Sequence, residues 1–299
     1  LGRSDTWPFF NEINLSTKHT FLILLVMVLF GSAFVVGKIV LNTNVPPILY
    51  AGLRMGIVFV CLLPFWKFEI PPKKYFFPLI IFALSMGVGV SMFTQLAINE
   101  SDILSPVIIG GQLAVPFAII LSSFFLGETI SSKKWFFVLT SFFGIILIGF
   151  DPKLVDNLLA LFLTSLMAFF YAISNVSSRN IKKLRVTLSN GFMGLTGLII
   201  LLLFSYVFEG NVVTNIKNIE NNVWILIIYA GAVVSVAAHM SLFYLYKFYS
   251  VGQVLPFYSL FPVFGLIQTF IVFHEIPSLI VTFGGIIVIG SVYMLQKIR

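Results

Sequence analysis

Arg54 stands out in this chain because a permanently charged guanidinium sits within an otherwise apolar run. It lies seven residues past Pro47, roughly 10 Å into the run at 1.5 Å per residue. Its planar fork can hold a carboxylate through two parallel hydrogen bonds. The plainer readings are pairing with carbonyls at a broken helix, or a reach back to the interface. His239 lies seven residues from the end of another run. An imidazole with an ordinary pKa of about 6.5 can carry a proton there, or serve as a neutral packing group. Lys38 is three residues from the end of its run, where snorkelling is the simple reading. Ser32, Gln95, Gln112, Tyr171, Asn175, Tyr244, Tyr258 and Gln268 fall at mid-depth. They can complete a pocket of apolar walls and a few polar groups, or bond between helices. Pro116 and Pro262 can open backbone groups to a solute or merely kink their helices.

The acids point the same way. Every Asp and Glu falls in a connector or at the end of an apolar run. A pump that exchanges protons for lipophilic cations needs a carboxylate inside the membrane. This chain offers cations instead, which favours an anionic or zwitterionic solute.

These residues must be positioned by helices in lipid. Of 299 residues, 59% are hydrophobic and 10% charged, and the mean hydropathy is +1.05. Soluble chains carry about 25% charged residues, so this one cannot cover itself for water. A span needs about 20 apolar residues, and ten runs qualify: 20–41, 47–66, 75–98, 103–126, 133–150, 157–178, 187–208, 223–246, 251–273 and 277–296. They are apolar all round rather than striped. Asn42-Thr43-Asn44, Pro71-Pro72 and Asp151-Pro152 punctuate the connectors. Residues 1–18 lack the ordered zones of a signal peptide, so the first run is expected to be retained.

Alternating connectors differ sharply in charge. Those on the N-terminal side hold Arg3, Lys18, Lys67, Lys73, Lys74, Lys133, Lys134, Arg179, Lys182, Lys183, Arg185, Lys247, Lys297 and Arg299; the others hold only Lys153 and Lys217. Lys/Arg excess marks the cytoplasmic side. A multi-pass cytoplasmic (inner) membrane protein with both termini inside is expected. The net charge of +7 is therefore a topology signal, not a nucleic-acid surface.

The chain repeats itself. Phe30 to Lys38 aligns with Tyr171 to Arg179, and Pro116 with Leu126-Gly127-Glu128 matches Pro262 with Phe273-His274-Glu275. Phe143-Gly144-Ile145-Ile146 echoes Phe283-Gly284-Gly285-Ile286. The expected fold is all-α and integral to the membrane: ten transmembrane helices as two inverted five-helix repeats, at 20–150 and 157–299, after a cytoplasmic segment 1–19. Five is odd, so the second half enters upside down, as alternating access requires. Gly52 with Gly56, and Gly191 with Gly194 and Gly197, are spaced for close helix contact.

Gly31-Ser32-Ala33-Phe34-Val35-Val36-Gly37-Lys38 and Pro46-Pro47-Ile48-Leu49-Tyr50-Ala51-Gly52-Leu53-Arg54 resemble the EamA family of the drug/metabolite transporter superfamily. So do Leu126-Gly127-Glu128 and the run Val254 to Gly265. The likeness covers nearly everything after residue 20, and their order and duplication carry it. It is most similar to amino-acid and metabolite exporters, including the O-acetylserine/cysteine type. Tyr171 and Phe30 stand where the family often has Trp, and His274-Glu275 where Gly-Glu is usual; these departures bear on substrate. The resemblance implies an outward direction and a cavity lined by helices 1, 3, 4, 6, 8 and 9, which keeps Lys38 a candidate.

Other classes fit less well. No zinc-protease helix, phosphate-cradling loop or Ser-His-Asp set occurs, so an enzyme is not expected. No cofactor is implied, and Cys61 is the sole cysteine. A flippase for a lipid-linked sugar is the closest rival, with Arg54 and Lys38 as its phosphate site. The expected partners are a small-molecule substrate and the lipid bilayer, with proton coupling through His239 open. The protein is expected as a monomer or weak dimer.

Overall fold

The computed structural model describes residues 16–65, 71–127, 129–151, 157–245, 248–249 and 254–297. Arg3, Lys67, Pro152, Lys153, Lys247 and Arg299 lie outside them, as does Glu128 of the Glu128/Glu275 pair. Among the described residues the structure is all helical, and nine helices are long and apolar enough to cross a membrane. We number them with one shorter apolar helix in chain order. The first three are α1 (Thr17–Leu41), α2 (Pro47–Phe65) and α3 (Lys73–Glu100). Next come α4 (Ser105–Phe125), α5 (Ser132–Gly149), α6 (Leu158–Asn180) and α7 (Val186–Phe208). The last three are α8 (Asn221–Leu242), the shorter α9 (Phe257–Phe273) and α10 (Leu279–Lys297). The connector after α7 folds a short turn of helix, Val212–Lys217, which its polar sequence did not announce.

Local chemistry sets the ends. Ser16 accepts from the His19 amide at the start of α1, and Ser131 from Lys134 at the start of α5, relieving amides with no intrahelical partner. Pro47 opens α2, where its missing N–H costs nothing. Gly127 and His274 end α4 and α9 in the left-handed region, at φ 66° and 55°. Glycine adopts it freely, whereas His274 is a side-chain-bearing exception.

Two kinds of irregular stretch recur in pairs among the described residues. Inside α3 the stretch Ala83–Val90 is π-helical, and inside α8 so is Tyr229–Ala237. In α4 a 3-10 turn, Gly111–Leu113, precedes the α-helix Ala114–Leu126; before α9's α-helix Phe261–Phe273 comes the 3-10 stretch Leu255–Leu260. Pro116 and Pro262 therefore fall in the first turn of a fresh α-helix, where proline breaks no bond. They mark where the helix restarts rather than a mid-helix kink.

Packing is paired as well. The two largest interfaces are α2 on α7 and α5 on α10. Smaller ones come in twos: α1 on α9 with α6 on α4, and α1 on α8 with α6 on α3. Glycines allow the close approaches. A Cβ on Gly194 would lie 2.9 Å from the Phe59 amide nitrogen, and one on Gly56 2.9 Å from Leu198 Cδ1. Gly144 and Gly284 face each other reciprocally, a Cβ on either falling 2.9 or 2.8 Å from the other's carbonyl oxygen. Outside the bundle the surface is greasy: Phe124 is 80% exposed and Phe77 74%. Lipid solvates such rings; water would not.

Polar bonds tie the helices together at the end of the bundle opposite Ser16. Both oxygens of Glu209 accept from the first amides of α2, Ile48 at 2.7 Å and Leu49 at 2.9 Å. Glu275 does the same for α4, accepting from Leu104 at 2.8 Å and Ser105 at 2.9 Å, and also from the Ser105 hydroxyl. A carboxylate at a helix N-terminus satisfies orphan amides and faces the positive end of the dipole. Asn157 bonds Asp102 at 3.0 Å, and Ser278 donates to Asp151. Replacing Glu275 with Ala is expected to destabilise the bundle by about 1–2 kcal/mol. A thermal melt in detergent checks this; an unchanged midpoint would show that the cap does nothing.

Candidate functional site

Arg54 is half-buried on α2, and its Nε donates to Ser235 Oγ of α8 at 2.8 Å. Ser235 in turn donates to Ala230 O at 2.9 Å. That bond reaches back five residues, a spacing set by the π-helical stretch. The break thus lets a serine turn toward α2 and brace a cation. Among the described residues no Asp or Glu forms an ion pair with Arg54.

His239 lies one turn past Ser235, its Nδ1 3.4 Å from Val234 O. Its ring packs on Phe30 of α1 at a centroid distance of 4.8 Å, and Phe30 meets Tyr258, just before α9's α-helix, at 5.9 Å. Ser32, two residues after Phe30, shares a 2.9 Å hydrogen bond with Tyr229 and donates to Leu29 O at 2.7 Å. Gln268 of α9 donates to Val28 O of α1 at 3.0 Å. Phe30, Arg54, Tyr229, Ser235, His239 and Tyr258 all keep part of their surface open. Set among α1, α2, α8 and α9, they form one partly open cluster of polar and aromatic side chains.

A second, closed cluster lies on α1, α2 and α3. Tyr50, one turn before Arg54, and Gln95 are each 0% exposed. Neither the Tyr50 hydroxyl nor the Gln95 amide has a hydrogen-bond partner. They share Gly37 as neighbour: a Cβ there would lie 3.2 Å from Gln95 Oε1 and 3.9 Å from Tyr50 Cε1.

The other expected residues are placed elsewhere. Lys38 does not snorkel to water: its Nζ donates to Ser101 O at 2.6 Å and Ile98 O at 3.3 Å, capping α3. Gln112 is buried in the 3-10 turn of α4, its Nε2 without a partner. Tyr171 packs with Phe117 and Phe142 around Leu113, Ala114 and Ala168, on the α4–α6 side. Asn175 is exposed on α6. Tyr244 is 44% exposed and rests on His19 and Phe248, near the N-terminal end of α1. The structure therefore groups Arg54 with His239 and Tyr258, adds Ser32 through Tyr229, and separates Lys38, Gln112, Tyr171, Asn175 and Tyr244 from them. Sequence reasoning missed Ser235, Tyr229 and Tyr50. The spacing of Ser235 and His239, four residues apart in an apolar run, was the available signal.

Helices long and apolar enough to cross a membrane, with a cation braced between two of them, define a multi-pass membrane protein. The EamA-like transporter family model matches the chain twice, over residues 17–150 and 158–296. The chain belongs to that family, whose members are transporters, not enzymes. A protein of Escherichia coli (strain K12) described as a probable amino-acid metabolite efflux pump is 25% identical over 291 residues, spanning 94% of this chain and 95% of its own. A solved crystal structure, 16% identical, superposes with a TM-score of 0.61 over 94% of this chain and 99% of its own, a likeness of fold.

Proposed function

We propose that this protein is a secondary transporter that exports an amino acid or amino-acid derivative across the cytoplasmic membrane by alternating access. The observation that carries the reading is Arg54: a guanidinium inside the bundle, braced through Nε by Ser235, with no acid among the described residues paired to it. A charge in that position is costly unless it meets a counter-ion, and a substrate carboxylate supplies one. The efflux-pump description of the Escherichia coli relative supports both solute class and direction.

Alternating access needs two halves that can exchange conformations. We take Phe257–Phe273, with the stretch before it, as a tenth crossing. The chain then divides into inverted five-helix halves, 20–150 and 157–299, with both termini cytoplasmic. Supporting this are the doubled family match, the π-helical stretches in α3 and α8, and the restarts in α4 and α9. The reciprocal Gly144–Gly284 contact is what a two-fold axis between the halves produces.

A flippase of a lipid-linked sugar would need a phosphate site, with Arg54 and Lys38 as its natural pair. Lys38 already serves the end of α3, which favours the soluble carboxylate. Protein reconstituted in liposomes separates the two. Flux of labelled amino acids or their derivatives supports the exporter, and movement of lipid-linked substrates alone supports the flippase. His239 packs on Phe30 beside Val234 O, so replacing it with Ala is expected to slow flux without reshaping its pH dependence. A flattened profile would instead assign proton coupling to this histidine.

A further inference from the structure

The hydrogen-bonding groups around Arg54 are unequal in kind, and that inequality narrows the substrate. The guanidinium spends Nε on Ser235 and keeps its Nη donors for a ligand. The backbone acceptors are already engaged, and those left, His239 Nε2 and the hydroxyl oxygens, are neutral. Ala230 O takes the Ser235 hydroxyl, Val234 O faces His239 Nδ1, Leu29 O takes Ser32 and Val28 O takes Gln268. The amide of Gln95 has no partner but is 0% exposed against Gly37, with no surface toward a solute. Acids lie only in connectors and at helix ends throughout the sequence. A ligand entering here meets a free cation, rings and neutral acceptors, and among the described residues no carboxylate reaches Arg54.

We infer that the cluster around Arg54 selects carboxylates whose amine is acylated or absent, with an apolar or aromatic side group, over free amino acids. The inference rests on the reading of Arg54 as the carboxylate clamp. A free ammonium must shed water on entry, and a cation–π contact with Phe30 or Tyr258 restores only part of that loss. An N-acyl group carries no charge and its carbonyl adds an acceptor, which suits a donor-rich site. Phe30, His239 and Tyr258 supply the wall for the side group.

The test uses the purified full chain in nanodiscs and matched probes: phenylalanine, N-acetylphenylalanine and 3-phenylpropionate, then leucine and N-acetylleucine, by calorimetric titration. The expected result is at least tenfold tighter binding of the acylated or amine-free member of each set. Arg54→Gln should weaken that binding about 100-fold and Arg54→Lys restore part of it, both remaining monodisperse by size exclusion. If free amino acids bind as tightly, and depend on Arg54, the selectivity is overturned while the clamp stands. If no probe binds, or all bind Arg54→Gln as well as the parent, the clamp and the selectivity fall together.

Discussion

Arg54→Gln is expected to weaken carboxylate transport about 100-fold, chiefly as a raised KM. Hydrogen bonds to charged groups contribute about 1.5–3 kcal/mol each, and a bidentate clamp makes two. Losing about 3 kcal/mol in total corresponds to roughly a hundredfold in affinity. Binding lost equally from ground and transition states appears in KM. Folding should survive, because Arg54 holds no ion pair with a described residue and gives one bond to Ser235. Glutamine can still donate to that serine. Ser235→Ala should have a smaller effect in the same direction, since it frees Nε and loosens the guanidinium without removing it. Initial rates in proteoliposomes over a range of substrate concentrations check both variants. An unchanged KM in Arg54→Gln would remove the guanidinium from the site.

The second large effect belongs to Gly87, within the π-helical stretch of α3. A Cβ there would fall 2.5 Å from Met193 O of α7, and the Gly87 carbonyl itself lies 2.7 Å from where a Gly197 Cβ would stand. A methyl group facing backbone cannot be relieved by a rotamer change, so the helices must separate. Overpacking of this kind costs about 1–3 kcal/mol, which Gly87→Ala should show as a lowered melting midpoint. Gly87→Val should yield no monodisperse protein. Gly290, in α10, has open space around it, so Gly290→Ala is the control and should melt like the parent. Equal melting of the Gly87 and Gly290 alanine variants would contradict the close approach of α3 and α7.

Much of this arrangement could be read from residue types. Nine of the ten apolar runs fall within a few residues of helices long enough to cross a membrane, because all-round apolarity has no other use at that length, and the run 251–273 overlaps the shorter α9. Arg54 was legible for the same reason: a guanidinium has few places in hydrocarbon. Its partner was not. Ser235 reaches Arg54 from a stretch of α8 that is π-helical, and no residue type in that stretch announces the irregularity. Gly87 and Gly231 lie in matching stretches of α3 and α8, each against a neighbouring backbone, Met193 O of α7 and Arg54 O of α2. Nothing in a one-dimensional pattern distinguishes them from other glycines. Lys38 misled in the opposite sense. Position alone suggested snorkelling, but the carbonyls of Ile98 and Ser101 at the end of α3 hold its ammonium. Tyr244 looked interior by depth, yet depth along a helix does not say which face a residue occupies.

The exchange of conformations proposed here depends on one half of the bundle running against the other. Single cysteines in a Cys61→Ser background, reacted with a membrane-impermeant maleimide on intact cells, test this most directly. The connectors at Asn44, Asn211 and Ser278 should react from outside. Those at Lys18, Lys133, Lys182 and Lys297 should react only after the membrane is opened. Labelling of Lys18 and Lys297 positions from different sides would mean an odd number of crossings and would refute the inverted pair.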